Sequence, residues 1–556
     1  MNREFLTKNH KIFQIILLIL VIVLQTGVIC HYASERTNFF VDEFYSFGYA
    51  QAYTSENQFV YYIDNSPEWK YEEWLSNKVL KPQLEVSEEE SLLNKNPGIA
   101  LKLLLKRRNF HGILNILMDV FSSGKPAKWP PIIFNIICFV FSQILLFRIV
   151  FGMTRNYSAS LLAVFMNGFT AMTINTHIYV RFYALVLLLV LACIRIHQKM
   201  WQESRLLYFL PESIFGMLLL YFALKNSELI MIMGGALVMV FTIALLFRRR
   251  FRDAFLYVML VVPASLLYLL KKTSLINVVL HPETYQNKGG ATGWITDNFL
   301  TTTAETIHGL IYKYVEWASF RVFGSWYVLR GFLVLFIVLL AIRLLVRKKS
   351  PERSELTHEE QMERTAACYV WIILGASAIF FAFALLTGLR YPRYFSFLFP
   401  LAIIILWTLI SFMTKGQKYG WCVYAICFVL VSFGAISTQR NQKEVVDYTY
   451  TDDQALIDAV HDTDIKDAVV IFTEREDANH SAYDCINLLP YSAKLYPVNM
   501  EHHHIDTADL PDQIYVWSHT KADSIDEYTG DLVRAGYSFE LLGTTHTSVV
   551  YVARKS

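Results

Sequence analysis

The chain has 556 residues, of which 54% are hydrophobic and 18% charged, and its mean hydropathy is +0.34. Soluble domains carry about 25% charged residues, so this composition excludes an ordinary soluble protein and indicates a polytopic membrane protein. A net charge of +2 without a concentrated basic face argues against a nucleic-acid partner. Six of the seven cysteines lie in or beside apolar runs, which leaves neither a disulfide framework nor metal-ligand spacing.

Eleven apolar windows of roughly 20 residues, the length that crosses ~30 Å of hydrocarbon, recur along the chain. They cover residues 12–30, 132–151, 159–174, 178–196, 207–224, 229–247, 254–270, 326–346, 367–388, 394–413 and 421–436. The first window follows basic residues but lacks a small-x-small cleavage site. It is therefore predicted to be an uncleaved membrane helix rather than a signal peptide.

Charge placement predicts the orientation of these windows. With the N-terminus in the cytoplasm, every inside connection is basic, as the positive-inside rule requires. An odd number of spans then places residues 31–130, 271–325 and everything after about 439 outside. Both long outside loops contain stretches with apolar residues mostly three or four apart, around 101–120 and 307–317. This spacing is typical of helices that lie in the membrane interface.

After the last window the composition becomes polar, and strand-like runs alternate with helix-like stretches. The strand-like runs cover 467–472, 513–517 and 547–552, and the helix-like stretches cover 454–460 and 525–535. This alternation predicts a small α/β domain without a glycine-rich phosphate loop. The predicted organisation is an all-α transmembrane domain at 1–438, including the two outside loops, followed by an extracytoplasmic α/β domain at 439–556.

The first chemical candidate is the carboxylate pair Asp42–Glu43, which lies among aromatic residues soon after the first apolar window. Close to a membrane, such a pair costs desolvation energy unless it faces water or a partner. A carboxylate within hydrogen-bond reach of an acceptor hydroxyl can take its proton as a general base. The alternative is a helix N-cap or a solvated loop pair.

Two arginine–tyrosine clusters are predicted on the same outside face. Arg181 opens the fourth span, and the run Arg390–Tyr391–Pro392–Arg393–Tyr394 opens the tenth, against the positive-inside trend. Such guanidinium groups either reach towards lipid headgroups or bind a lipid-linked phosphate with paired N–H donors. Their position on the side that bears Asp42 and Glu43 favours an anion site.

Two other motifs carry weaker signals. Pro130–Pro131 opens the second span, where a proline in the first helical turn costs no hydrogen bond, so a plain helix start explains it. The tract His502–His503–His504 has the composition of a metal site. Consecutive histidines cannot all face one ion in a regular element, so a solvated loop is favoured and no metal site is predicted.

Taken in order, these features resemble the GT-C glycosyltransferases, most nearly the bacterial protein O-mannosyltransferase and aminoarabinose transferase type. The resemblance covers roughly residues 10 to 415. The residues that carry it are Asp42, Glu43, Pro130, Pro131, Arg181, Tyr183, Leu185, Arg393, Tyr394 and Pro400. The sequence also departs from the pattern, because Lys128–Trp129 precede the prolines where bacterial members commonly have histidine.

The resemblance implies transfer of a sugar from a polyprenyl-phosphate donor to an acceptor on the outer face of the cytoplasmic membrane. It implies that Asp42 is the catalytic base with Glu43 beside it. The residues implied near the donor phosphate are Arg181, Tyr183, Arg393 and Tyr394. Further candidate donor or lipid contacts are Lys128, Lys102, Arg107 and Lys271.

The sugar, the acceptor (protein, lipid or cell-wall polymer) and the use of a divalent cation are left open, and no other cofactor is implied. Two other classes use similar basic outside residues: a lipid or oligosaccharide transporter, and a non-catalytic cell-envelope scaffold. Transporters usually place ionisable groups near the bilayer midplane. Charges are nearly absent from the middle of the predicted spans, which favours the enzyme.

Overall fold

The structure is a computed structural model, in which the chain divides into two compact units. The first comprises Met1–Tyr32, Ile133–Ile178 and Phe182–Asp447, and the second comprises Ala33–Ile132, Tyr179–Arg181 and Tyr448–Ser556. The described residues are 3–36, 39, 43, 46–47, 69–70, 110–122, 127–202, 206–227, 229–271, 303–347, 358–389, 391–441, 454–472, 494–499, 507–508, 510–519, 529–545 and 548–556.

Helices dominate the chain as far as residue 441. They are α1 (Arg3–Glu35), α2 (Phe110–Ser122), α3 (Trp129–Thr154), α4 (Tyr157–Gly168), α5 (Ala171–Ile178), α6 (Tyr183–Gln202), α7 (Leu206–Asn226), α8 (Leu229–Phe247), α9 (Phe251–Lys271), α10 (Ala304–Trp317), α11 (Trp326–Arg347), α12 (His358–Leu386), α13 (Leu398–Thr414) and α14 (Gly420–Arg440). A π-helical turn (Ala318–Val322) follows α10, and a 3-10 turn (Pro392–Phe395) precedes α13.

Each of the eleven apolar windows coincides with one of these helices or with the pair α4–α5. Within the described residues, seven helices are long and apolar enough to cross a membrane: α1, α3, α6, α8, α11, α12 and α14. The pair α4–α5, bent by 59°, makes an eighth if it forms one span. The chain is therefore a multi-pass helical membrane protein, as predicted. The count of eleven crossings and the sidedness stay predictions.

A chain of buried amide groups connects three helices of the first unit. Gln143 Nε2 on α3 donates to Gln25 Oε1 on α1 at 3.1 Å, and Asn167 Nδ2 on α4 donates to Gln143 Oε1 at 3.3 Å. The hydrocarbon region of a membrane contains no water to bind these amide groups, so they form hydrogen bonds with one another between helices. Gly168 permits the close approach, because a Cβ at that position would lie 2.1 Å from Gln25 Cδ.

The two predicted interfacial helices correspond to α2 and α10. On α2, residues 101–109 of the predicted stretch lie outside the described part of the chain, and Phe110, Leu114 and Met118 form a buried stripe with a four-residue spacing. On α10, Thr303 caps the first turn by accepting a hydrogen bond from Thr306 N–H. Both helices are amphipathic, as the spacing predicted.

The second unit contains a six-stranded sheet with the order β1-β3-β2-β4-β6-β5. Its strands are β1 (Trp69–Lys70), β2 (Ala468–Phe472), β3 (Lys494–Asn499), β4 (Gln513–His519), β5 (Tyr537–Thr544) and β6 (Ser548–Lys555). Strand β2 pairs in parallel with β3 and β4, and the remaining pairs are antiparallel. The three predicted strands correspond to β2, β4 and β6, and the predicted C-terminal α/β fold is confirmed.

Both faces of the central strands β2 and β4 are buried. One face packs Val469, Ile471 and Val516 against Leu532 of the short helix α16 (Gly530–Arg534). The other face carries side chains such as the fully buried Trp517, and helix α15 (Gln454–His461) precedes the sheet. The predicted helices at 454–460 and 525–535 correspond to α15 and α16, although 520–528 lie outside the described residues. Strand β1, contributed by the first long loop, pairs antiparallel with β3.

Candidate functional site

Six side chains or backbone groups of the second unit meet where the first helix ends. They belong to Arg36, Glu43, Ser46, Lys128, Val180 and Arg181, and we call this group the charged junction. Its members come from three separated segments of sequence, 33–47, 127–132 and 179–181. The junction therefore brings together one predicted catalytic residue, Glu43, and two predicted phosphate or lipid contacts, Arg181 and Lys128.

The centre of the junction is an ion pair between Arg36 and Glu43. The side chains of both residues are 0% exposed, and the Arg36 guanidinium donates to Glu43 Oε2. The guanidinium also lies over the Phe39 ring, 5.6 Å from its centroid. A charged pair is retained out of water only where further hydrogen bonds offset the desolvation cost. Glu43 has such a bond, because its Oε1 accepts the Val180 backbone N–H at 2.5 Å.

The Val180 contact reflects a break between helices. Helix α5 ends at Ile178 and α6 begins at Tyr183, so the intervening Val180 N–H has no helical acceptor, and Val180 itself is fully buried. A buried backbone N–H requires a partner, and the Glu43 carboxylate supplies it. The next residue, Arg181, is half-buried, and its Nη1 donates to Ser46 Oγ at 3.1 Å. The turn that carries Arg181 is thus bound at two consecutive residues by the acid-bearing segment.

Lys128 completes the junction from the segment before α3. Its Nζ donates to the backbone carbonyls of Arg36 at 2.6 Å and Ser34 at 3.2 Å, which lie at the C-terminal end of α1. A cation at that end stabilises carbonyl groups that lack helical partners. Burial and the neighbouring Arg36 guanidinium both lower the pKa of Lys128, whereas Glu35 raises it.

Among the described side chains at the junction, cations outnumber carboxylates by three to two. The cations are Arg36, Lys128 and Arg181, and the carboxylates are Glu43, which pairs with Arg36, and Glu35, whose charge acts on Lys128. Arg181 and Lys128 are both partly exposed. This arrangement suits an anionic ligand more than a cation, because a half-buried guanidinium can donate paired N–H groups to phosphate oxygens.

The second arginine–tyrosine cluster lies in the first unit and is built from aromatic contacts. The Arg393 guanidinium carbon is 4.8 Å from the Tyr391 ring centroid and 5.5 Å from that of Tyr394. Helix α10 supports this turn, because its Tyr314 ring packs 4.9 Å from Phe395. Burial raises the pKa of Tyr314, whose hydroxyl remains protonated and donates to Leu389 O at 2.6 Å.

The other predicted site residues are placed as follows. Tyr183 is buried at the start of α6, and Lys271 ends α9, with its side chain outside the described part of the chain. Asp42, Lys102, Arg107, Arg390 and the tract His502–His504 lie outside the described residues. Among the residues that are described, no group of three or more histidine, cysteine, aspartate and glutamate side chains is placed to hold a metal ion.

Sequence reasoning did not single out three residues of these regions: Arg36, Ser46 and Arg321. Arg321 is buried in the π-helical turn, 8% exposed, in the first unit. A signal existed for Arg36, because it lies six residues after the first apolar window on the predicted outside and precedes the opposite charge of Glu43 by seven residues. No comparable sequence signal marks Ser46.

No protein-family model matches the chain, and no curated protein matches it. Among solved structures, it is similar to ArnT from Cupriavidus metallidurans bound to undecaprenyl phosphate, with a TM-score of 0.43 and 10% identity over 97% of each chain. It is also similar to ArnT from that organism in the apo state, with a TM-score of 0.40 and 8% identity, covering 80% of this chain and 86% of the other. Likeness at this level assigns neither a family nor site residues to the chain.

Proposed function

We propose that the chain is an integral membrane glycosyltransferase. It moves a sugar from a polyprenyl-phosphate-linked donor to an acceptor on the outer face of the cytoplasmic membrane. The observation that carries the proposal is the charged junction, in which Arg181 is held beside the acid-bearing segment together with two further cations, Arg36 and Lys128. The motif order described from the sequence supports the same assignment.

In the proposed reaction, Asp42 acts as the general base. Its role comes from the resemblance and from its place next to Glu43 in the chain. The acceptor oxygen attacks the anomeric carbon, the bond from that carbon to the phosphate oxygen breaks, and the acceptor proton passes to the Asp42 carboxylate. The polyprenyl phosphate leaves with the bonding electrons and one additional negative charge.

Arg181 is proposed to stabilise this charge. Fixed donors aimed at a developing anion lower the barrier because they need no reorganisation during the reaction. The bond from Arg181 Nη1 to Ser46 and the anchored Val180 amide limit the movement of this turn. Tyr183, Arg393 and Tyr394 remain candidate donor contacts on the strength of the resemblance. A phosphate leaving group requires no proton from the enzyme, so one carboxylate base suffices.

The test uses membranes that contain the wild type or Asp42→Asn, supplied with labelled polyprenyl-phosphate sugars and cell-envelope acceptors. We expect the variant to lose about 10²–10⁴-fold in transfer rate, the usual contribution of a general base. Asp462→Asn, at an exposed position after α15, is the matched control and should transfer at the wild-type rate.

Two outcomes count against the proposal in different ways. Equal transfer by wild type and Asp42→Asn would remove the base assignment and leave the enzyme class intact. No transfer by the wild type with any donor would favour the transporter or the scaffold. The orientation, with the N-terminus cytoplasmic and 439–556 extracytoplasmic, is part of the proposal. A cytoplasmic signal from a reporter fused after residue 440 would contradict it.

A further inference from the structure

We propose that Arg36 and Glu43 form a positioning pair: Glu43 holds the turn that carries Arg181, and it does not act as a second base. This inference deepens the proposed function and rests on it for its kinetic consequences. Its structural consequence, a protected Val180 amide, can be measured without any assumption about the reaction.

The Glu43 carboxylate is buried. A general base must present a carboxylate oxygen within hydrogen-bond reach of the proton that it removes. Glu43 is 0% exposed, and each of its oxygens is engaged: Oε2 accepts from Arg36, and Oε1 accepts from the Val180 N–H at 2.5 Å. A carboxylate held in this way is inaccessible to substrate. It acts through the groups that it binds.

The Glu43 carboxylate binds the turn that carries Arg181. Val180 directly precedes Arg181, so the bond from Glu43 to the Val180 amide sets the backbone from which the Arg181 side chain extends. Ser46, three residues after Glu43, accepts from the Arg181 guanidinium at 3.1 Å. The segment that contains Asp42 and Glu43 therefore fixes both the backbone and the side chain of this turn. Misplacement of a binding group by about 1 Å can cost on the order of 10²-fold in rate.

Arg36 is the charged partner of Glu43. Removal of one partner from a buried ion pair leaves an uncompensated charge, so Arg36 is what makes an ionised Glu43 tolerable at this depth. Its backbone carbonyl is bound in turn by Lys128 Nζ at 2.6 Å. The pair is thus connected at both ends, to the segment before α3 through Lys128 and to the Arg181 turn through Val180.

The structural test is amide hydrogen exchange on the full-length protein in lipid nanodiscs, followed over the peptide that contains residues 179–181. Glu43→Gln keeps the shape and an oxygen acceptor but removes the charge. A hydrogen bond to a charged group is stronger than a neutral one, so we expect exchange in this peptide to accelerate by about 10-fold. Glu35→Gln is the matched control, because Glu35 is an exposed carboxylate at the end of α1. Unchanged exchange in Glu43→Gln would overturn the inference.

The kinetic test uses polyprenyl-phosphate sugar as the varied substrate. We expect Glu43→Gln to raise the KM for this donor by about 10-fold, in the range seen when supporting residues around a site are removed. The acid limb of the kcat/KM pH profile should persist, because Asp42 still titrates as the base. Loss of that limb would make Glu43 the base and overturn the positioning role. If the wild type transfers nothing, the proposed function fails, and the exchange experiment still decides on the pair.

A double variant keeps the test informative if the single variant does not fold. Arg36→Gln combined with Glu43→Gln removes both charges and leaves two amides that can bond to each other. We expect this double variant to fold, to show accelerated exchange over residues 179–181, and to have a donor KM above that of the wild type. A double variant with wild-type exchange and wild-type donor KM would contradict the proposal.

Discussion

The contacts that the structure shows for the two arginine turns differ in kind. In the second unit, the Arg181 turn is fixed by a fully buried ion pair and by hydrogen bonds from separated segments. In the first unit, Arg393 lies against the faces of Tyr391 and Tyr394, and the Tyr391 side chain is 53% exposed. Loss of one partner from a buried ion pair costs far more stability than loss of a contact between a guanidinium and an exposed aromatic ring. Similar arginine–tyrosine motifs are thus stabilised by different kinds of contact.

The largest difference is expected in stability. Arg36→Met leaves the Glu43 carboxylate buried without its partner, which should lower the free energy of unfolding by about 3–5 kcal/mol. Arg393→Met removes contacts with two tyrosine rings at a partly exposed position, where each such contact contributes about 0.5–1 kcal/mol, so its loss of stability should be smaller. Unfolding of both purified variants in the same detergent, followed by denaturant titration, measures the difference. Equal losses would show that the two turns are held with similar strength.

The next difference is expected in donor use. Arg181→Ala removes a preorganised guanidinium, and we expect the KM for the donor to rise by about 10- to 100-fold, since hydrogen bonds to charged groups contribute about 1.5–3 kcal/mol. Arg393→Ala should raise it less, by about 3-fold, because the Arg393 guanidinium already lies against the faces of Tyr391 and Tyr394. Donor saturation curves for the two variants test this order, and a normal KM in Arg181→Ala would remove that residue from the site.

The smallest effect concerns the pH dependence of stability. Burial and Arg36 lower the pKa of Lys128 from its ordinary value of 10.5, so the folded state binds this proton less tightly than the unfolded state. Stability rises with pH wherever the unfolded state binds more protons. We expect the wild type to gain stability relative to Lys128→Gln as pH rises from the lowered pKa towards 10.5. Melting temperatures of both proteins across this range measure it. A loss of wild-type stability relative to Lys128→Gln as pH rises would contradict the lowered pKa of Lys128.

Local sequence properties predicted much of the fold. Hydropathy located all eleven helical windows, because a helix in hydrocarbon must satisfy its backbone internally and carry an apolar surface along its length. Alternation of strand and helix patterns located β2, β4 and β6 for a similar local reason. Patterns did not reveal the bend between α4 and α5, which depends on how these helices pack, nor the pairing of β1 with β3 across more than 400 residues of sequence.

The candidate site divides in the same way. The sequence by itself determined which side chains could carry the chemistry, because Asp42, Glu43 and Arg181 are ionisable residues beside predicted spans. Only the tertiary structure decided that Glu43 faces Arg36 and the Val180 amide rather than solvent. The reason is physical: the sequence specifies a carboxylate and its charge. Its burial and its partners are set by segments that meet only when the chain folds.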